Sequence, residues 1–201
     1  MRPRAACGIL YKKKTPLGRA LISGRVTRMK KLLIVVDYQK DFVNGALPCG
    51  EAAEKLEQRI CNKIAAYRAA GDEVLFLKDT HPAEEYPGTR EAGSFPPHCL
   101  KGTPGWELYG TVREMAEGAA VLEKPSFGAA QLPQLEIVRQ ADAYEVVGVA
   151  TNVCVLHNVV ILYNFFKDRP ISVDAQCCAS FDERLHDNAI EIMRGFGVTI
   201  L

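Results

Sequence analysis

From Lys31 the chain alternates between two hydrophobic periodicities. The run "KLLIVVDY" (31–38) is apolar at nearly every position, the pattern of a strand buried on both faces of a sheet. In "EAAEKLEQRICNKIAAYRAAG" (51–71), Leu56, Ile60, Ile64 and Tyr67 recur at helical spacing on one face, and Gly71 supplies a stop. "DEVLFLKDTH" (72–81) predicts a second strand, and a Pro- and Gly-rich loop follows from Pro82 to Gly105. "AAVLEK" (119–124) and "AYEVVGVA" (143–150) predict strands three and four. A helix from about Cys154 to Lys167, a fifth strand in "RPISVDAQCCAS" (169–180), a helix over 183–197 and a closing strand in "VTIL" complete the order. Strands alternating with helices predict an α/β fold, a three-layer α/β/α sandwich around a mainly parallel sheet.

Composition narrows the picture only a little. At 201 residues and 48% hydrophobic content the chain has enough apolar surface for one domain core. A net charge of +1 gives no footing for a nucleic-acid partner, and no apolar run reaches the length of a membrane span. Seven cysteines, an odd number without metal-type spacing, suit a reducing compartment, so a cytoplasmic protein is expected. Residues 1–28 stand apart: they are rich in Lys and Arg, contain no acid and lack the apolar core of a signal peptide. They are expected to be a disordered extension or the product of an upstream start, with a transit peptide as the alternative. Residues 29–201 are then the domain.

In open α/β sheets ligands bind beyond the carboxyl ends of the strands. Asp37 ends strand one, Asp79 and His81 end strand two, Lys124 ends strand three, and Cys154 follows strand four. Each has an ordinary reading: a turn-capping Asp, a surface Lys, a buried small Cys. Together they predict one pocket. A carboxylate can take the thiol proton, and a lysine between the two is expected to favour both anions. The helix start adds partial positive charge at Cys154, and the N–H groups of Ala150 and Cys154 suit an oxyanion. In "KDTHP", Asp79 and His81 are two apart, so an extended chain points both to one side. His98 in "FPPHC" and Glu91 in the same loop extend that set. A mixed Asp, His and Glu group suits one divalent ion, zinc first, with manganese or iron also compatible.

At these residues the sequence resembles the nicotinamidase group of the isochorismatase-like cysteine hydrolases. The matching segments are "LLIVVDYQKDFVNGAL", "KDTHP", "FPPHCLKGTPGWELYG", "EKPSFGA" and "GVATNVCVLHNVV", in the family's order from Lys31 to about Phe181. The resemblance implies a catalytic triad of Asp37, Lys124 and Cys154 and an oxyanion hole at Ala150 and Cys154. It implies metal ligation by Asp79, His81 and His98, with Glu91 completing the set as in one bacterial subgroup. Phe42 and Phe95, with Phe127 nearby, would clamp the substrate ring, and a cis peptide would fall at Val149–Ala150. The implied activity is metal-dependent hydrolysis of nicotinamide to nicotinate and ammonia through a cysteine thioester, in NAD salvage. A small-molecule substrate, no membrane and a homo-oligomer are expected with it. The alternatives are a sister hydrolase of another small amide or ureido compound, and a catalytically silent α/β protein. The basic extension is the main departure from the family's pattern.

Overall fold

The alternation of side chains along the first strand divides the molecule into two cores. In β1 (Lys31–Val36), Leu33 and Val35 face one layer, Leu32, Ile34 and Val36 the other, and all five are fully buried. Each such side chain contributes roughly 1.5–3 kcal/mol by leaving water. This is the sandwich that the apolar run predicts. The computed structural model describes residues 28–201; the expectation for residues 1–27 lies outside the described residues.

After β1 come α1 (Lys40–Val43), α2 (Glu51–Glu54), α3 (Glu57–Ala69) and β2 (Glu73–Asp79). The long loop then holds three one-turn 3-10 helices, at Tyr86–Gly88, Glu91–Gly93 and Pro104–Trp106. Next are α4 (Gly110–Met115), β3 (Ala120–Lys124), α5 (Glu136–Gln140), β4 (Ala143–Val149), α6 (Leu156–Phe165), β5 (Ile171–Ala179), α7 (Glu183–Gly195) and β6 (Thr199–Ile200). The sheet runs β3-β2-β1-β4-β5-β6 with every neighbour parallel. The first core packs α1 to α4 on one face, the second packs α5 to α7 on the other.

The single helix expected over 51–71 is two helices. Leu56 N–H bonds back to Ala53 O at 3.1 Å, a tightened i to i+3 turn that separates α2 from α3. The short helices α1, α4 and α5 were not expected; six residues or fewer are too short to show a period. The helix expected from Cys154 starts two residues later. Before it, Thr151–Val155 forms a wider turn in which Val155 N–H bonds to Ala150 O at 3.1 Å, five residues back.

Strand order reverses between β1 and β4, which makes their carboxyl ends the switch point of the sheet. The backbones crowd there. Gly148, at φ 120°, sits so close to Val36 that a β-carbon would overlap its carbonyl oxygen. The peptide Val149–Ala150, just beyond, is cis.

Candidate active site

The residues expected at strand ends do converge. Asp37 leaves β1 at φ 50°, with its N–H still bonded to Leu77 O at 3.0 Å. Lys124, the last residue of β3, is fully buried. Its ammonium has three protons and three partners: Asp37 Oδ2 at 2.6 Å, Asp79 Oδ1 at 3.1 Å and Cys154 Sγ at 3.8 Å. The Asp37 contact is ion-pair close but off the hydrogen-bond axis, so neither Asp37 oxygen has a well-aligned donor. Its attraction is Coulombic rather than directional.

Burial, the largest influence, raises Asp37 from its ordinary range to about 7; Lys124 opposes the shift and Asp79 adds to it. Burial also pushes the Cys154 thiol well up, with Lys124 pulling down and Asp37 and Asp79 pushing up. Lys124 pulls both groups down, as expected of a cation set between two anions, but burial outweighs it at each. One positive charge is divided between two carboxylates, and what remains does not offset the thiol's desolvation. With no ion at Asp79, burial favours the thiol form.

Asp79 also belongs to a second cluster. Its Oδ2 lies 2.9 Å from His81 Nε2 and 3.4 Å from His98 Nε2. Glu91 approaches His98 Nε2 at 3.2 Å and His81 Nε2 at 3.9 Å. One donor atom from each of the four residues falls within 4.8 Å of all the others. His98 Nδ1 is 2.8 Å from Pro96 O, a pure acceptor, so Nδ1 carries a hydrogen and Nε2 is the nitrogen that offers a lone pair when the ring is neutral. That Nε2 is buried without an aligned hydrogen-bond partner despite its short carboxylate distances. Burial disfavours a charged His98, yet Asp79 and Glu91 outweigh it and raise the ring to about 10. The cluster calls for positive charge at a point surrounded by lone pairs, and a divalent cation fits it.

The isochorismatase domain family matches residues 31–201. The chain belongs to that family. A Bacillus subtilis isochorismatase family protein, PncA, is 37% identical over 171 residues, covering 79% of this chain and 91% of its own. A Mycobacterium tuberculosis protein named nicotinamidase/pyrazinamidase is 32% identical over 139 residues, 62% of this chain and 74% of its own. The crystal structure of a B. subtilis nicotinamidase/pyrazinamidase superposes with a TM-score of 0.78 at 34% identity, over 86% of this chain and 99% of that one.

In this isochorismatase-family chain the pocket over the thiol is small and aromatic. Phe42, Phe95 and Phe127 line it together with Ala150, Val153 and Cys154, so the three ring-clamp residues and both oxyanion-hole residues expected from sequence sit at one place. Glu91 and His98 form its metal-side wall. Among the described residues no loop or cap carbonyl accepts from the Ala150 N–H. As the side chains stand, the space left is about 10 Å³, room for one water molecule. A larger depression of about 480 Å³, lined by Lys31, Glu73 and Gln140, lies at the opposite ends of the strands and holds none of these groups.

Sequence reasoning missed two residues here. Phe181, beyond β5, lines the pocket with its ring 6.3 Å from that of Phe95. Tyr86 lies in what reads as loop, yet is buried against both histidine rings, 5.0 Å from His81 and 5.5 Å from His98. Its hydroxyl bonds to Pro96 O at 3.0 Å, on the segment that aims His98. An aromatic residue within a Pro- and Gly-rich stretch was the available signal.

Proposed function

We propose that this chain hydrolyses nicotinamide to nicotinate and ammonia, with Cys154 as nucleophile, Asp37 as general base and acid, and Lys124 as the cation between them. The observation that carries the reading is the reach of the one buried ammonium of Lys124 to Asp37, Asp79 and Cys154. The relatives named nicotinamidase, and the aromatic pocket against the thiol, support the substrate. Domain bounds of 29–201, with 1–28 dispensable for chemistry, agree with the extent of the family match. Six buried free cysteines among the described residues suit a reducing, cytoplasmic setting. Self-association has its support in the exposed Val160, Tyr163 and Phe165 of α6.

Asp37 takes the proton from Cys154 as sulfur attacks the carboxamide carbon. The oxygen of the tetrahedral adduct gathers charge against the N–H groups of Ala150 and Cys154. Asp37 gives its proton to the nitrogen, the C–N bond breaks and ammonia leaves, which restores the carboxylate and leaves a thioester. Asp37 then accepts a proton from an attacking water, and collapse of that adduct returns this proton to sulfur and releases nicotinic acid, which ionises to nicotinate. Phe42, Phe95 and Phe127 hold the ring by face and edge contacts. Asp79, His81, Glu91 and His98 would hold the metal, zinc in first place, and a divalent ion there supplies a Lewis-acid anchor for a ring nitrogen.

Purified protein mixed with nicotinamide should release one ammonia per nicotinate formed. Protein that carries metal and leaves nicotinamide intact while hydrolysing another small amide would replace this reading with the sister-hydrolase one.

A pH dependence follows from Asp37. The base must be ionised, and its carboxyl titrates at about 7 in the folded chain. As pH falls through that value the carboxylate is lost, so kcat/KM should fall about tenfold per unit on the acid side. Asp79 is one of the groups that raises Asp37, so a cation bound by Asp79 moves the midpoint below 7, not above it. An acid limb centred above 8 would be incompatible with Asp37 as the base.

A further inference from the structure

We propose that Gln39 and Asp41 are positioning residues for a divalent metal centre, each fixing one arm of the ligand set. The proposal rests on the metal reading above. On its β1 side, the backbone of β2 loses its strand partner after Leu77, because the chain turns away at Asp37. Asp79 would be left with an unpaired peptide at the point where its carboxylate must be aimed. The fully buried Gln39 amide replaces the missing strand. Its Oε1 accepts from Asp79 N–H at 2.7 Å, and its Nε2 donates to Asp79 O at 2.9 Å. The second Nε2 proton goes to Trp106 O at 2.9 Å, so both amide donors are used.

Asp41 does the same for the histidines. Its Oδ2 accepts from Cys99 N–H at 2.8 Å and its Oδ1 from Ala46 N–H at 3.0 Å. Cys99 follows His98 directly and stands at φ 46°, a left-handed conformation that a non-glycine residue adopts at a cost. The carboxylate pins it there. Cys99 O in turn accepts from His81 N–H at 3.1 Å, so one contact sets the backbone of both histidine ligands. The space is made for it: a β-carbon at Gly105 would overlap the Asp41 carboxylate. The stretch "DYQKD" thus sends Asp37 to the thiol and lysine, Gln39 to Asp79, and Asp41 to the histidine loop. The triad and the metal ligands share one template.

The test measures zinc affinity of metal-free protein by competition with a chromophoric chelator. Gln39→Met, which keeps size and loses every bond, and Asp41→Asn should each bind zinc about 10–100-fold more weakly than the parent. Tyr144→Phe is the control. It removes a buried hydroxyl bonded to Val138 O at 2.9 Å, remote from the site, and should lower melting temperature without moving zinc affinity. If Gln39→Met does not fold by circular dichroism, Gln39→Glu decides, since it keeps the acceptor for Asp79 N–H and loses both donors. Folded variants that bind zinc within about twofold of the parent overturn the positioning role. A parent chain that binds no divalent ion removes the metal reading, and this inference with it.

Discussion

Cys154→Ala should reduce ammonia release from nicotinamide by about 10⁴-fold or more, while nicotinamide still binds. The side chain is small and buried in a wall it shares with Phe42, Phe95, Phe127 and Val153 among others, so the cavity left is slight and the ring keeps its contacts. What disappears is the atom that forms the thioester. Burial favours the thiol form, so proton transfer to Asp37 accompanies the attack. Two measurements follow. Titration of the variant with nicotinamide should give an affinity within a few-fold of the parent's KM-derived value. Adding Asp37→Asn to Cys154→Ala should cost little more, because groups that act as one unit are not additive. A variant retaining even about 1% of parental turnover would mean that the nucleophile is another group, water included.

The site was more legible in the sequence than were the small elements around it, and for a physical reason. Sheet strands buried on both faces leave long apolar runs, and β1, β2 and β4 each give one. A polar residue at the end of such a run stands out, as Asp37 and Asp79 do, whereas Lys124 closes the shorter, largely exposed β3. The spacing of Asp79 and His81 converts directly into geometry, because an extended chain repeats every two residues. The protonation state of Cys154 could not be read this way. It depends on how many carboxylates share Lys124, and the Asp79–His81 spacing says nothing of the second Asp79 oxygen, which faces the lysine. Gln39 is similar: a lone Gln after a strand carries no chemistry in sequence, and its role exists only because β1 turns away while β2 runs on. Phe181 is far from the other pocket residues in sequence and reaches them through the placement of β5 beside β4.

Asp79 is where the two clusters meet, and its loss should show effects that no other ligand's loss shows. One oxygen faces Lys124 at 3.1 Å; the other faces His81 at 2.9 Å and His98 at 3.4 Å. Asp79→Asn and His81→Ala should both lose bound metal by elemental analysis and both lose more than about 100-fold in kcat/KM. They should part in the chemistry of the thiol. Asp79 pushes both Cys154 and Asp37 upward through its negative charge, and it takes a share of the Lys124 ammonium. In Asp79→Asn that charge is gone, and Lys124 acts on Asp37 and Cys154 alone. The thiol pKa falls, the thiolate fraction at neutral pH rises, and Cys154 should react faster with iodoacetamide than in the metal-free parent. His81→Ala leaves the carboxylate in place, so its thiol should alkylate at the metal-free parent's rate. The comparison is made on chelator-treated proteins, so that the ion's own charge does not enter. Equal alkylation rates in the two variants would show that Asp79 serves the metal alone and that its contact with Lys124 carries no electrostatic weight at the nucleophile.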